Sequence, residues 1–171
     1  MNVILIGMPA SGKSCMGRAL SKALKMKNID TDRVIEQRTG RKLQDIINED
    51  GLDAFKRIEE KILCDISGEN LIISTGGSAV YYDSAMQHFK DIGIVVYLYA
   101  GLSTIVKRLG DFSKRGIALK EGQTIEDLYN ERCELYERYA DVTVACDGNL
   151  YNKYRDDAVK AIRAFAKRRG R

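Results

Sequence analysis

A run of residues near the start of the chain has the types and spacing of a phosphate-binding loop. The pattern G-x-x-x-x-G-K-[ST] is matched by Gly7, Met8, Pro9, Ala10, Ser11, Gly12, Lys13 and Ser14, with Cys15 directly after them. The glycines let the backbone curl so that several N–H groups point at phosphate oxygens, and a helix that begins near Lys13 adds its positive dipole end. We expect this loop to bind ATP, with Lys13 at the β- and γ-phosphates and the Ser14 hydroxyl as a ligand of Mg²⁺.

Two carboxylates follow the second apolar run of the chain. Alternation places Asp30 and Asp32 on the same side, at the carboxyl end of a parallel strand, where doubly wound sheets bind ligands. Neighbouring carboxylates repel each other unless a cation or a polar ligand lies beside them. In an ATP-using site one can bind Mg²⁺ through water and the other can accept a substrate hydroxyl proton. The alternative is a helix-capping pair, since Asp favours helix N-termini, and Asp32 can be a cap.

An arginine lies on the apolar face of a helix that the periodicity predicts over 124–139. Arg132 follows Leu128 by four residues and precedes Tyr136 by four, so it shares their stripe. An arginine on such a face needs an anion to offset the cost of desolvation. A substrate carboxylate would provide one, and so would a structural pair with Glu36 or Glu59.

These residues need a scaffold, and the hydrophobic pattern predicts one. Five short β-like runs, most of them continuously apolar, lie at 2–6, about 28–30, 71–75, 94–99 and 142–146. Amphipathic stretches separate them, including two helices expected at 32–39 and 43–67. This alternation predicts right-handed crossovers and an α/β fold with a doubly wound sheet. The glycine-bearing stretch 110–122 has little periodicity and is typical of a mobile surface loop.

Length and composition exclude several classes of protein. A chain of 171 residues, 44% hydrophobic and 30% charged, is typical of a single globular domain, here 1–171. The apolar runs are too short to span a membrane, and the start lacks the features of a signal peptide. We therefore expect a cytoplasmic protein with no membrane partner and reduced cysteines, which also lack metal-ligand spacing. A net charge of +4 suits anionic small molecules and does not by itself indicate nucleic acid.

The order of these motifs resembles that of shikimate kinases. The resemblance is carried by segments 7–14, 30–32, 35–41, 55–60 and 74–77 and by Glu131-Arg132 with Tyr136, and it extends over about residues 2–165. It implies a three-layer α/β sandwich with a five-stranded parallel sheet, the nucleoside monophosphate kinase-like P-loop fold. It also implies a small cytoplasmic enzyme, usually a monomer, that transfers the γ-phosphate of ATP to the 3-hydroxyl of shikimate in aromatic amino-acid biosynthesis.

The resemblance assigns roles to the residues that would surround the substrate. Asp30 would hold Mg²⁺ through water, and Asp32 would bind substrate hydroxyls and orient or deprotonate the attacking one. The backbone of Gly76 and Gly77 would approach the substrate and the γ-phosphate closely, and Arg132 would grip the substrate carboxylate. The segment at about 32–60 would bind the substrate.

The resemblance also assigns the residues that would cover the nucleotide. Arg115 looks like the arginine of a lid, at about 110–122, that closes over the phosphates. Arg108 matches the arginine that stacks on adenine, and the loop near 147–150 would lie beside the base.

Four positions depart from the family pattern. They are Leu52, where the family has Glu; Lys56, where it has a substrate-binding arginine; Ser78, where it has a third glycine; and Gly116, where it has proline. An arginine fork binds a carboxylate through two parallel hydrogen bonds, whereas an ammonium acts as a point charge. We expect Lys56 to weaken shikimate binding by about 1–3 kcal/mol, and Gly116 to loosen the lid. Arg57 would compensate for Lys56 only if the helix rotated.

Two other functions stay open at this point. Lys56 and Ser78 motivate a related kinase for another hydroxy acid, such as a gluconate-like sugar acid. A nucleotide-binding regulatory protein without turnover is the alternative from another class, although it would need neither Asp32 as a base nor Arg115 as a lid arginine. A nucleoside monophosphate kinase fits less well, because the run 30–41 resembles the shikimate enzymes.

Overall fold

A five-stranded parallel sheet forms the centre of the molecule. The computed structural model describes residues 1–110, 122–148 and 151–170. Its strands are β1 (Asn2–Ile6), β2 (Lys27–Asp30), β3 (Leu71–Ser74), β4 (Gly93–Tyr99) and β5 (Val142–Ala145). They pair in parallel in the order β2-β3-β1-β4-β5. The predicted α/β fold with a five-stranded parallel sheet is therefore confirmed.

Helices connect these strands and cover both faces of the sheet. They are α1 (Lys13–Leu24), α2 (Thr31–Thr39), α3 (Leu43–Asp50), α4 (Leu52–Cys64), α5 (Asp83–Ile92), α6 (Leu102–Leu109), α7 (Ile125–Tyr139) and α8 (Tyr151–Arg169), with a short 3-10 turn at Ala79–Tyr81. The prediction of one helix over 43–67 is wrong. Gly51 adopts φ 87° and ψ 164°, outside the helical region, and so divides that stretch into α3 and α4.

The alternating side chains of β1 show why the structure has three layers. Val3 and Leu5 point into a cluster with residues of α1 and α8, among them Leu20 and Ile162. Ile4 and Ile6 belong to the cluster on the opposite face, which α4, α5, α6 and α7 help to form. All four strand residues are fully buried. Both faces of the sheet are thus covered, which explains the continuously apolar runs in the sequence.

A smaller cluster holds the helices of the predicted substrate-binding segment together. Ile35 of α2, Ile46 of α3, and Phe55 and Ile62 of α4 pack on one another apart from the two main clusters. This unit lies beside the carboxyl end of β2, because α2 begins directly after that strand.

Some sequence predictions fall outside the part of the chain that the structure describes. The loop predicted over 110–122 is described only at Gly110 and Gly122, so Arg115 and Gly116 lie outside the described residues. Asn149 and Leu150 of the predicted adenine loop lie outside them as well. Over the described ranges, none of the helices combines the length and the apolar character that crossing a membrane requires.

Candidate active site

A cavity of about 1090 Å³ lies where the chain leaves β1, β2 and β3. Its walls bring together segments that are far apart in the sequence. The predicted site residues that line it are Pro9, Ala10, Gly12, Lys13, Ser14, Cys15, Asp30, Asp32, Lys56, Gly76, Gly77, Ser78 and Arg132. The carboxyl ends of neighbouring parallel strands meet at one edge of a sheet, and this is the edge where doubly wound folds bind ligands.

The phosphate-binding loop has the curled backbone that its glycines predict. Gly7 and Gly12 have φ values of 144° and 101°, and a Cβ at Gly7 would lie 2.7 Å from the carbonyl oxygen of Leu98. Gly7, Met8 and Ser11 do not line the cavity, and the side chains of Met8 and Ser11 are buried. Helix α1 begins at Lys13, as predicted, and its first turn faces the cavity.

Lys13 is held inside the loop by the loop itself. Its Nζ donates hydrogen bonds to the carbonyl oxygens of Gly7 (2.7 Å) and Met8 (2.9 Å). Burial lowers the pKa of Lys13 to about 8, and the nearby Asp32 carboxylate opposes that shift. An ammonium hydrogen-bonded to neutral carbonyls gains from a bound anion, so this position attracts phosphate groups.

Asp30 has two partners, one for each of its oxygens. The Ser14 hydroxyl donates to Oδ2 at 2.8 Å, and the backbone N–H of Asp32 donates to Oδ1 at 3.2 Å. Asp30 is therefore the N-cap of α2, and the idea that Asp32 caps this helix is wrong. The cap holds the Asp30 carboxylate against the first turn of α1.

The donor set around Ser14 and Asp30 fits Mg²⁺. A hydroxyl and a carboxylate are hard oxygen ligands, and Mg²⁺ is usually bound by one or two such groups together with substrate phosphates. The residues that the structure describes contain no group of three or more His, Cys, Asp or Glu side chains that could hold a metal ion. Any Mg²⁺ here would accordingly need the phosphates of a bound nucleotide as ligands.

Asp32 faces the open cleft between the phosphate-binding loop and the turn after β3. Desolvation by the surrounding protein raises the pKa of its carboxyl, and the like charge of Asp30 raises it further. A carboxylate with a raised pKa at the edge of a cleft is a candidate general base.

Charged side chains lie close to both glycines of the turn after β3. The N–H of Gly76 donates to the Thr31 hydroxyl at 3.1 Å. A Cβ at Gly76 would lie 2.9 Å from Glu59 Oε1, and one at Gly77 would lie 2.9 Å from Arg132 Nη1. Both contacts are shorter than a real Cβ shows, so a side chain at either position would displace Glu59 or Arg132.

Arg132 reaches the cavity from α7 and is almost completely buried. Its Nε donates to the Tyr81 hydroxyl at 3.3 Å, and its Cζ lies 5.3 Å from the centre of the Tyr81 ring. The ion pairs found between described residues do not join Arg132 to Glu36 or Glu59. The structural pair that the sequence left open is therefore not present, and the guanidinium is oriented by an aromatic ring instead.

Glu59 is a cleft residue to which the sequence analysis gave no role beyond that of a possible partner of Arg132. It is 1% exposed, and it accepts hydrogen bonds from Ser78 Oγ (3.0 and 2.8 Å to its two oxygens) and from the Tyr82 hydroxyl (2.7 Å). Burial raises the pKa of this carboxyl. One signal could have found it: Glu59 follows Phe55 by four residues and thus lies on the apolar stripe of α4.

Lys56 lines the cavity at its exposed edge. Its Nζ lies 3.7 Å from Asp53 Oδ1, and 47% of its side chain is exposed. Arg57 is also exposed and does not line the cavity. Lys56, which departs from the family pattern, is therefore a solvated cation, and Arg57 does not take its place in the cavity.

Arg108 lies apart from the residues that line this cavity. From α6 its Nη2 donates to the carbonyl oxygens of Cys146 (2.7 Å) and Gly148 (3.0 Å). It thus holds the loop after β5, whose Asp147 accepts a hydrogen bond from the Gly101 N–H. This is the loop expected beside the adenine.

Comparison with known proteins gives matches to shikimate kinases by family model, by sequence and by structure. The family model described as "Shikimate kinase" matches residues 9–163. A shikimate kinase of Clostridium botulinum is 37% identical over 174 residues, which cover 99% of this chain and 98% of that protein. Among solved structures, shikimate kinase from Acinetobacter baumannii in complex with shikimate has a TM-score of 0.85 and 29% identity, covering 98% of this chain and 93% of that one. Shikimate kinase from Aquifex aeolicus has a TM-score of 0.81 and 26% identity, covering 97% and 98%.

Proposed function

The chain belongs to the shikimate kinase family, and from this premise we infer that it transfers the γ-phosphate of ATP to the 3-hydroxyl of shikimate. The observation that carries the inference is the meeting in one cleft of the phosphate-binding loop, the Asp32 carboxylate and the buried Arg132. These are the parts that phosphoryl transfer to a hydroxylated carboxylic acid needs. The reaction would serve aromatic amino-acid biosynthesis, as the family does.

We propose that the phosphate-binding loop positions ATP for transfer. Its backbone N–H groups and the N-terminus of α1 would hold the phosphates, and Lys13 would exchange its two carbonyl partners for phosphate oxygens. Arg108 would lie at the adenine end of the nucleotide. Arg115 is proposed to close over the phosphates on the strength of its sequence position alone.

We propose that Ser14 and Asp30 hold Mg²⁺ together with the phosphates of ATP. The bound ion would supply charge neutralisation on the phosphoryl oxygens. Asp30 is already fixed for this task, because the N–H of Asp32 and the hydroxyl of Ser14 orient its two oxygens.

Asp32 and Arg132 would act on the acceptor. Arg132 would bind the shikimate carboxylate, and the Gly76–Gly77 backbone would form the wall against which the ring lies. Asp32 would accept the proton of the attacking 3-hydroxyl. As that oxygen forms its bond to the γ-phosphorus, the bond from phosphorus to the β–γ bridging oxygen breaks and ADP leaves. Lys56 and Ser78 would also lie next to the substrate.

The other two candidate functions are not favoured. A kinase for another hydroxy acid and a nucleotide-binding regulatory protein both share the fold, but the match to shikimate kinases covers nearly the whole chain. The single domain over 1–171, the monomeric state, the cytoplasmic location and the absence of nucleic-acid and membrane partners stay predictions.

A coupled assay of ADP release with a panel of acceptors tests the proposed function. The panel contains shikimate, quinate, gluconate and nucleoside monophosphates, each with ATP and Mg²⁺. We expect turnover with shikimate at millimolar concentration or below and only background release with the others. Release with gluconate but not with shikimate would move the assignment to a sugar-acid kinase, and ATP binding without any release would favour the regulatory protein.

A further inference from the structure

We propose that Ser78 and Tyr82 are positioning residues that hold the Glu59 carboxylate away from Arg132 and so reserve Arg132 for an acidic substrate. The inference deepens the proposed function and rests on it. It assigns a role to Ser78, where this chain departs from its family, and to Tyr82, which the sequence analysis did not single out.

Glu59 and Arg132 flank consecutive residues of the same turn. A Cβ on Gly76 would touch Glu59 Oε1, whereas a Cβ on Gly77 would touch Arg132 Nη1. Both side chains are buried, at 1% and 6% exposure. The two charges attract each other in this poorly solvated site, yet no ion pair joins them among the described residues.

The hydroxyls of Ser78 and Tyr82 donate hydrogen bonds to the Glu59 carboxylate. Ser78 Oγ lies 3.0 and 2.8 Å from the two carboxylate oxygens, and the Tyr82 hydroxyl donates to Oε2 at 2.7 Å. Both donors are neutral, so they satisfy the carboxylate without using a cation. Lys56, one turn of α4 earlier, contacts Asp53 instead and leaves Glu59 to these hydroxyls.

Two tyrosines position Arg132 and the turn beside it without neutralising the guanidinium. Tyr81 accepts a hydrogen bond from Nε and lies against the guanidinium. The Tyr136 hydroxyl donates to the Gly77 carbonyl oxygen at 2.7 Å and fixes the other side of the turn. An ion pair with Glu59 would neutralise the guanidinium on which a substrate carboxylate depends.

The test first removes the hydroxyls of Ser78 and Tyr82 and then removes the negative charge of Glu59. We compare the wild type with S78A/Y82F and with S78A/Y82F/E59Q, and measure the Kd for shikimate and for a non-hydrolysable ATP analogue by calorimetry. In the double variant Glu59 is released to pair with Arg132, so the Kd for shikimate should rise about tenfold, the scale of one charged hydrogen bond. The Kd for the ATP analogue should stay within about twofold, since none of the three residues lies in the phosphate-binding loop. Adding Glu59→Gln should return the Kd for shikimate to near the wild-type value, because a neutral amide does not compete for Arg132.

Two further variants separate positioning from loss of structure. Tyr139→Phe removes a comparable hydroxyl–carboxylate bond, the one to Asp83 at 2.6 Å, and should leave the Kd for shikimate unchanged. If the double variant folds poorly, Ser78→Ala and Tyr82→Phe are measured singly. Each should raise the Kd for shikimate by about two- to threefold, less than the double variant, because the remaining hydroxyl still binds the carboxylate.

Three results would overturn the inference. One is an unchanged Kd for shikimate in S78A/Y82F and in both single variants. Another is a loss of affinity that Glu59→Gln does not relieve, because a merely structural role predicts no rescue. The third is a wild-type protein that neither binds nor phosphorylates shikimate. That result removes the proposed function as well, and it is recognised from the wild type before any variant is measured.

Discussion

Asp32 is the residue on which the proposed transfer step depends most. It lies in the cleft between the phosphate-binding loop and the turn after β3 that contains Gly76 and Gly77. Its surroundings raise the pKa of its carboxyl. A raised pKa makes the carboxylate a better proton acceptor for a hydroxyl at neutral pH. Asp30, two residues earlier, has both oxygens engaged and is suited to a fixed supporting role.

Replacing Asp32 by asparagine should separate catalysis from nucleotide binding. The amide keeps the shape of the side chain and cannot accept the proton, so we expect kcat to fall by about 10²–10⁴. The Kd for a non-hydrolysable ATP analogue should change little. Asp45→Asn, on the exposed side of α3 outside the cavity lining, is the matched control and should keep wild-type kcat. An unchanged kcat in Asp32→Asn would remove the base assignment.

Lys56 tests whether the departure from the family pattern weakens substrate binding. Lys56→Arg supplies a fork that can bind a carboxylate through two hydrogen bonds. Because the side chain is half exposed and next to Asp53, we expect a gain of about 0.5–1 kcal/mol, or a KM for shikimate two- to fivefold lower. Arg57→Lys, one position along and outside the cavity, should leave KM unchanged. No difference between Lys56→Arg and the wild type would show that the weakness lies elsewhere.

At the scale of elements, the turn after β3 lies next to Arg132 and carries the Gly76–Gly77 backbone that we propose contacts the substrate. Its geometry depends on close approaches that the sequence does not reveal, because Glu59 and Arg132 press on it from α4 and α7. The sequence shows Gly76 and Gly77 as a pair of glycines, but the side chains that pack against them, Glu59 and Arg132, are distant in the sequence.

Gly77→Ala should displace Arg132. The added methyl would lie 2.9 Å from Arg132 Nη1 and 3.0 Å from Pro9 Cδ. The guanidinium is the end of a flexible side chain and will move first, so we expect a KM for shikimate about tenfold higher, within the 1–3 kcal/mol range of overpacking. Unfolding by urea should show a smaller effect. Gly170→Ala, which meets only an ordinary contact at 3.5 Å, is the control. A wild-type KM in Gly77→Ala would contradict the assignment of Arg132 to the substrate.

The sequence predicted element types better than element ends. All five strands are found close to where the apolar runs predicted them. For β1, β3 and β4 the reason is burial on both faces, which leaves an apolar pattern that needs no knowledge of the partner. The break at Gly51 was missed, since the apolar periodicity continues through it from α3 to α4. The sequence left Asp30 and Asp32 open as a capping pair, and only Asp30 caps α2, because both residue types suit an N-cap and only the backbone decides between them.

At the scale of the whole molecule, the strand order assembles the site. β3 lies between β1 and β2, so the phosphate-binding loop, the Asp30–Asp32 segment and the glycine turn leave adjacent strands at one edge. Periodicity predicts a parallel sheet but not the order of its strands, because that order depends on contacts between distant segments. Glu59 shows the same limit for a single side chain. Its place on an apolar stripe predicts burial, whereas its bonds to Ser78 and Tyr82 exist only in the folded protein.

The product of the reaction tests the central claim most directly. Wild-type protein is incubated with ATP, Mg²⁺ and shikimate, and the products are followed by ³¹P NMR. We predict that the γ-phosphate signal of ATP is replaced by one phosphomonoester signal, coupled to the proton on carbon 3 of shikimate, together with ADP in equal amount. Inorganic phosphate alone, or a phosphomonoester that forms only when gluconate replaces shikimate, would contradict the account.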